Sequence, residues 1–367
     1  MAGTAAPSSH RRLPSLDGLR AISIALVIFS HLLGTRGFPL GERAMGSTGD
    51  VGYLGVRVFF VISGFLITNL LLGEHERTGT VSLRGFYIRR AFRIFPAFYA
   101  FVAAMVIAGL LGGIEVHRSD VLHAVTYTTN YHYVDRSWEL GHMWSLSIEE
   151  QFYLLWPALF LVAGPRHIGK VALAMIALAP VLRVVAWFTM PYRDDVIMEA
   201  YPCVMDSIAA GSLMAALRLR LDDSARYQRF LRSPLFWLVP VIVVLANLPG
   251  RVALNYTVDI TVQNLGIALC VDRFVRVTAG PIHRFLNLRW LAYVGTLSYS
   301  IYLWQEPFLN HRAHTSFTAW PINLTLALVC AVTSYYLVER PFFALRDAWA
   351  ARRRARRAAA VAAPTPP

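Results

Sequence analysis

With 367 residues, 56% of them apolar and only 16% charged, the chain is too apolar for a water-soluble domain, which carries roughly a quarter charged residues. An aromatic content of 13% excludes a disordered polymer, and three cysteines set in apolar runs (Cys203, Cys270, Cys330) exclude a disulfide scaffold. The net charge of +13 accompanies a mean hydropathy of +0.46, which assigns the basic excess to membrane orientation and anionic head groups and not to nucleic acid.

An apolar stretch of about 20 residues spans a bilayer at a rise of about 1.5 Å per residue. In chain order such stretches fall at 19–36, 51–72, 93–113, 144–163, 168–190, 200–217, 235–249, 257–275, 289–310 and 320–339. The expected fold class is therefore all-α, a polytopic transmembrane helix bundle of about ten spans. It divides into an N-terminal segment 1–18, a transmembrane domain 19–342 and an Arg/Ala/Pro-rich tail 343–367, expected to be disordered and to lie on anionic lipid. The semi-polar segment 119–133 reads as re-entrant or interfacial. With both termini inside, 26 of the 35 Lys and Arg residues fall on the inner side, seven on the outer side and two within spans. That is a strong positive-inside bias and predicts two cytoplasmic termini. Arg11 and Arg12 before the first span suit a signal-anchor, no small-residue cleavage site following them. A single lysine, Lys170, among so many arginines points to a GC-rich bacterial genome, hence to a multi-pass protein of the bacterial inner membrane.

Ionisable groups inside spans are costly and are functional candidates by default: His31, Arg57, Glu149, Glu150, Arg183, Asp206, Asp259 and Glu306. In LDGLRAISIALVIFSH, Arg20 and His31 are eleven positions apart. That spacing turns a helix by about 1100°, three turns and about 20°, and separates the two along one face by about 16 Å. The arrangement suits a long ligand with an anionic end at Arg20 and a reactive end at His31. A histidine bonded within the bundle and a merely anchoring arginine fit it equally. In FYIRRAFRIFP, Arg89 or Arg90 shares a face with Arg93, and paired guanidinium groups offer bidentate donors to phosphate. Ordinary basic flanking gives the same pattern. In WSLSIEEQFYLLWP, Glu149 and Glu150 point about 100° apart, so one faces the bundle. A carboxylate there can orient a histidine and stabilise its imidazolium. His142 reads as interfacial, and Gly52, Gly55 and Gly64 as helix-packing positions. The scattered histidines and cysteines offer no zinc spacing, so no metal site is expected. From residues alone, a transporter or flippase with Asp206 and Asp259 as relay groups and a non-catalytic membrane sensor stay open beside an enzyme.

Six pieces in order from residue 16 to 342 carry a resemblance: LDGLRAISIALVIFSH, GVRVFFVISGFLIT, FYIRRAFRIFP, MWSLSIEEQFYLLWP, LSYSIYLWQEPF and LVERPF. Together they resemble the acyltransferase-3 family of integral membrane acyltransferases. The resemblance implies an O-acyltransferase that moves an acyl group, often acetyl, from cytoplasmic acyl-CoA to a hydroxyl of a carbohydrate-type acceptor. Surface polysaccharide, a lipid-linked glycan and a sugar-bearing metabolite all fit. It implies no permanently bound cofactor, acyl-CoA being a substrate. Carried over residue by residue, the family's arginine and histidine fall on Arg20 and His31, its double-arginine motif on Arg90 and Arg93, and its glutamate on Glu149. His31 is then the base or a transient acyl carrier, and Glu149 its orienting acid. Arg90 and Arg93 hold the CoA phosphates, with Arg89 and Arg20 assisting. Two positions depart from the pattern: Arg57 stands where many members have Asp, and Gln305, which cannot act as a base, where many have His.

Overall fold

The computed structural model describes residues 14–40, 51–248 and 255–362. Arg11, Arg12 and the last five residues lie outside them. The bundle is built from α1 (Pro14–Leu32), α2 (Val51–Thr78), α3 (Leu83–Leu110), α4 (Met143–Ala163), α5 (Ile168–Thr189), α6 (Tyr201–Ala216), α7 (Leu238–Leu245), α8 (Ile260–Arg276), α9 (Arg289–Gln305) and α10 (Ile322–Ser334). The all-α class is as expected, and each expected span meets a helix. Among the described residues six helical stretches are long and apolar enough to cross a membrane; the pair Ala225–Arg232 and Pro234–Leu245, bent by 66°, makes a seventh if counted as one span. The other three, α6, α8 and α9, have 16, 17 and 17 residues. They reach about 25 Å, short of a hydrocarbon core of about 30 Å. α6 is buried on nearly every side, as suits a short helix enclosed by longer ones.

Two boundaries differ from the sequence expectation. α3 starts at Leu83, ten residues before the apolar window, because Ser82 caps it: its hydroxyl accepts from the Gly85 backbone N–H at 3.2 Å. Arg89, Arg90 and Arg93 therefore lie within a helix and do not flank one. At the other end, α10 runs through a π turn (Tyr335–Glu339) into α11 (Arg340–Ala362), so helix continues through most of the tail, Ala and Arg being strong helix formers. The segment 119–133 forms a short helix (Arg118–Val125) and a 3-10 turn (Thr129–Tyr131), leading to the helix Trp138–Gly141.

The helices that position the site meet backbone to backbone. A Cβ on Gly64 of α2 would sit 1.9 Å from the Ile208 carbonyl oxygen, and one on Gly211 of α6 would sit 1.9 Å from that of Val61. α1 and α9 meet in the same way, Gly295 facing the Asp17 carbonyl. Small residues permit such approaches in membrane bundles. A second fastening is ionic. Arg183 and Asp206, both wholly buried, pair at 3.0 Å. Arg183 also donates to the Cys203 carbonyl at 2.6 Å and the Thr257 carbonyl at 3.2 Å, while the Thr261 hydroxyl donates to Asp206 at 2.6 Å. This network ties α5, α6 and α8 together. Arg57 is likewise engaged, donating to Gln263 and approaching Met198 Sδ at 3.7 Å.

Candidate functional site

At the C-terminal end of α1 a cavity of about 490 Å³ opens between the start of α2, the segment 133–144 and the end of α9. His31 lines it, half-buried. Its Nδ1 lies 2.7 Å from Gln305 Oε1, and its ring meets Trp138 edge-on with centroids 5.9 Å apart. Trp138 is held in turn, its indole N–H donating to the Glu306 backbone carbonyl at 2.9 Å and the Arg312 guanidinium lying 5.1 Å over its ring.

Other ionisable groups line this cavity, among them Glu306, an intramembrane candidate from sequence, and His142, Arg136 and Glu199, which were not singled out as site residues. His142, buried, places Nδ1 2.6 Å from Glu306 Oε2 and donates from Nε2 to the Leu303 carbonyl at 3.2 Å. It is therefore a cavity wall and not an interfacial residue. Arg136 grips the buried Glu199 with two hydrogen bonds, 2.5 and 2.8 Å. Burial works against the Arg136 charge, but the Glu199 carboxylate outweighs it and holds the guanidinium above the usual arginine range. Histidine and acid types at the ends of spans were the available sequence signal; the pairings cross 63 and 164 positions of chain and leave no local pattern.

About three helical turns back along α1 lies the second region. The Ser63 hydroxyl donates to Glu149 Oε1 at 2.7 Å, and the Tyr153 hydroxyl lies 3.1 Å from Glu149 Oε2 and 3.0 Å from Ser63. The Arg90 guanidinium stacks 3.7 Å over the Tyr153 ring. Arg20, Arg90 and Arg93 are close enough to feel one another's charge, with Asp17, Glu149 and Glu339 as neighbouring counter-charges. Yet no carboxylate comes within the 4.0 Å of an ion pair of any of the three among the described residues. Arg20 and Arg90 are half-buried and Arg93 is exposed, so the cluster is accessible and not a packed core.

The structure thus brings Arg20, Arg90, Arg93 and Glu149 together and leaves two expected site contacts unmade. Glu149 does not reach His31: its oxygens are engaged by Ser63 and Tyr153, and the Nδ1 of His31 is engaged by Gln305. Arg89 leaves the cluster for the other side of α3, where it pairs with Glu74 at 3.1 Å. Among the described residues no group of three or more His, Cys, Asp and Glu side chains is arranged to hold a metal ion.

Residues 13–340 match a family model described as an acyltransferase domain. The chain is 26% identical over 373 residues to the peptidoglycan O-acetyltransferase OatA of Listeria monocytogenes, with 91% of this chain and 55% of that protein covered. It is 28% identical over 368 residues to the O-acetyltransferase OatA of Staphylococcus aureus, with 91% and 57% covered. The chain spans about half the length of these curated relatives. No solved structure matches it.

Proposed function

The chain belongs to the acyltransferase-3 family over residues 13–340, and from that premise we propose that it is a membrane O-acyltransferase that moves an acetyl group from acyl-CoA to a hydroxyl of a carbohydrate acceptor. The reading rests on one observation above all: Arg20, clustered with Arg90 and Arg93, and His31, which lines a cavity, share α1 about three turns apart. A donor with an anionic head and a long uncharged arm fits that geometry. Arg20, Arg90 and Arg93 take its phosphates through charge-assisted hydrogen bonds. Glu149, fixed by Ser63 and Tyr153, tempers their mutual repulsion at that end. The thioester lies at His31, and the acceptor enters the cavity beside it.

His31 takes the proton of the acceptor hydroxyl as the oxygen attacks the thioester carbonyl. The new C–O bond forms, the tetrahedral intermediate collapses with loss of the C–S bond, and the proton passes from His31 to the departing thiolate. No charge builds up on the protein after a full turnover. A carbohydrate acceptor is supported by the name of the Listeria relative, a peptidoglycan O-acetyltransferase. The same reading sets both termini on the cytoplasmic side of the inner membrane, where the basic tail meets anionic lipid. A transporter reading loses one of its motives, since Asp206 is closed into a network with Arg183 and Thr261.

The test gives purified protein labelled acetyl-CoA and a carbohydrate acceptor. The wild type transfers label; His31→Ala loses transfer yet still binds acetyl-CoA, because the phosphate contacts lie elsewhere. Wild-type transfer by His31→Ala at matched expression would overturn the reading.

A further inference from the structure

Gln305, the last residue of α9, is wholly buried, and its side-chain Oε1 lies 2.7 Å from His31 Nδ1. A carbonyl oxygen only accepts hydrogen bonds, so Nδ1 carries the hydrogen. In a neutral imidazole the lone pair then belongs to Nε2. We propose that Gln305 is a positioning residue: its amide carbonyl fixes His31 in the tautomer whose Nε2 is free to take the acceptor's proton. The inference rests on the O-acyltransferase reading, in which His31 is the base.

One feature supports it. The contact suits both states of the base. When Nε2 gains the acceptor's proton, Nδ1 keeps its hydrogen and still meets the same oxygen, so the step requires no rearrangement. The reverse amide orientation would aim an NH₂ group at Nδ1, hold the hydrogen on Nε2 and leave nothing to accept a proton. A glutamine supplies the orienting acceptor of a catalytic triad without its negative charge. This explains how a residue with no acid–base chemistry of its own occupies the position beside the base.

The experiment uses the full chain in two ways. Steady-state kinetics compare wild type with Gln305→Leu, which keeps the bulk and removes the acceptor, and Gln305→Glu, which keeps the acceptor. Gln305→Leu is expected to lower kcat about 10- to 100-fold, the loss of one hydrogen bond to a charged group, with KM for acetyl-CoA and for acceptor held. Gln305→Glu is expected to restore kcat. Unchanged kcat in Gln305→Leu, or a loss that Gln305→Glu does not rescue, would overturn the proposal. Independently, ¹⁵N NMR of histidine-labelled wild type, with the His31 signal assigned by its absence in His31→Ala, is expected to show the hydrogen on Nδ1. A hydrogen on Nε2 of neutral His31 overturns the proposal whether or not the Gln305 variants fold. Absence of acetyl transfer by wild type, with the Nδ1–H signature present, sinks the enzymatic reading and leaves the tautomer assignment standing.

Discussion

Arg183 and Arg90 are both arginines within the helix bundle, and their surroundings are opposite. Arg183 spends its donors on Asp206, Thr261 and two backbone carbonyls, and is sealed from solvent. Arg90 rests on the face of Tyr153 with no carboxylate in ion-pair range, beside two more arginines that lack ion pairs among the described residues. Charge inside a membrane protein is therefore not in itself a sign of function. What separates the two regions is pairing: a guanidinium closed onto its carboxylate fastens helices, whereas guanidinium groups without an ion pair keep donors for an anion.

Substitutions at the two regions should part cleanly. The largest effect belongs to the closed network. Asp206→Ala leaves Arg183 buried without its carboxylate, a loss of about 3–5 kcal/mol. Thermal unfolding in detergent should show it, with activity falling only as folded protein is lost. Arg90→Ala and Arg93→Ala should do the converse, each weakening acetyl-CoA binding by about 1.5–3 kcal/mol, roughly tenfold or more, with stability kept. Binding isotherms that do not move, or a collapse in stability, would put these arginines in the same class as Arg183. The smallest effect is at Arg89, whose pair with Glu74 is partly exposed. Arg89→Ala should cost about 0–1 kcal/mol of stability and leave donor affinity alone. A donor-binding defect there would enlarge the cluster beyond the three arginines assigned to it.

Hydropathy was sufficient to find the helices, because a span is a local property of about 20 residues. It misplaced the start of α3, since a run of arginines looks like a flank until the capping serine at position 82 is given its role. The shared face of Arg20 and His31 was also legible, being fixed by helix geometry. The partners of those side chains were not. Gln305 lies 274 positions from His31 and Ser63 lies 86 from Glu149, distances over which no spacing rule operates. Of the contacts to Glu149 only Tyr153, one helical turn along, had a local signature. The acid expected beside His31 thus belongs with the arginines, and the side chain set aside for lacking basicity takes that place.

The glycine contacts have a mechanical consequence. Where α2 meets α6 and α1 meets α9, no side chain lies between the backbones to act as a cushion. Close-packed surfaces transmit strain and slide poorly. Rocking across those seams would force main-chain atoms together, so the frame around His31 and Ser63 behaves as a fixed die and not as a hinge. The cavity beside His31 therefore keeps its width, and an occupant must fit it as it stands.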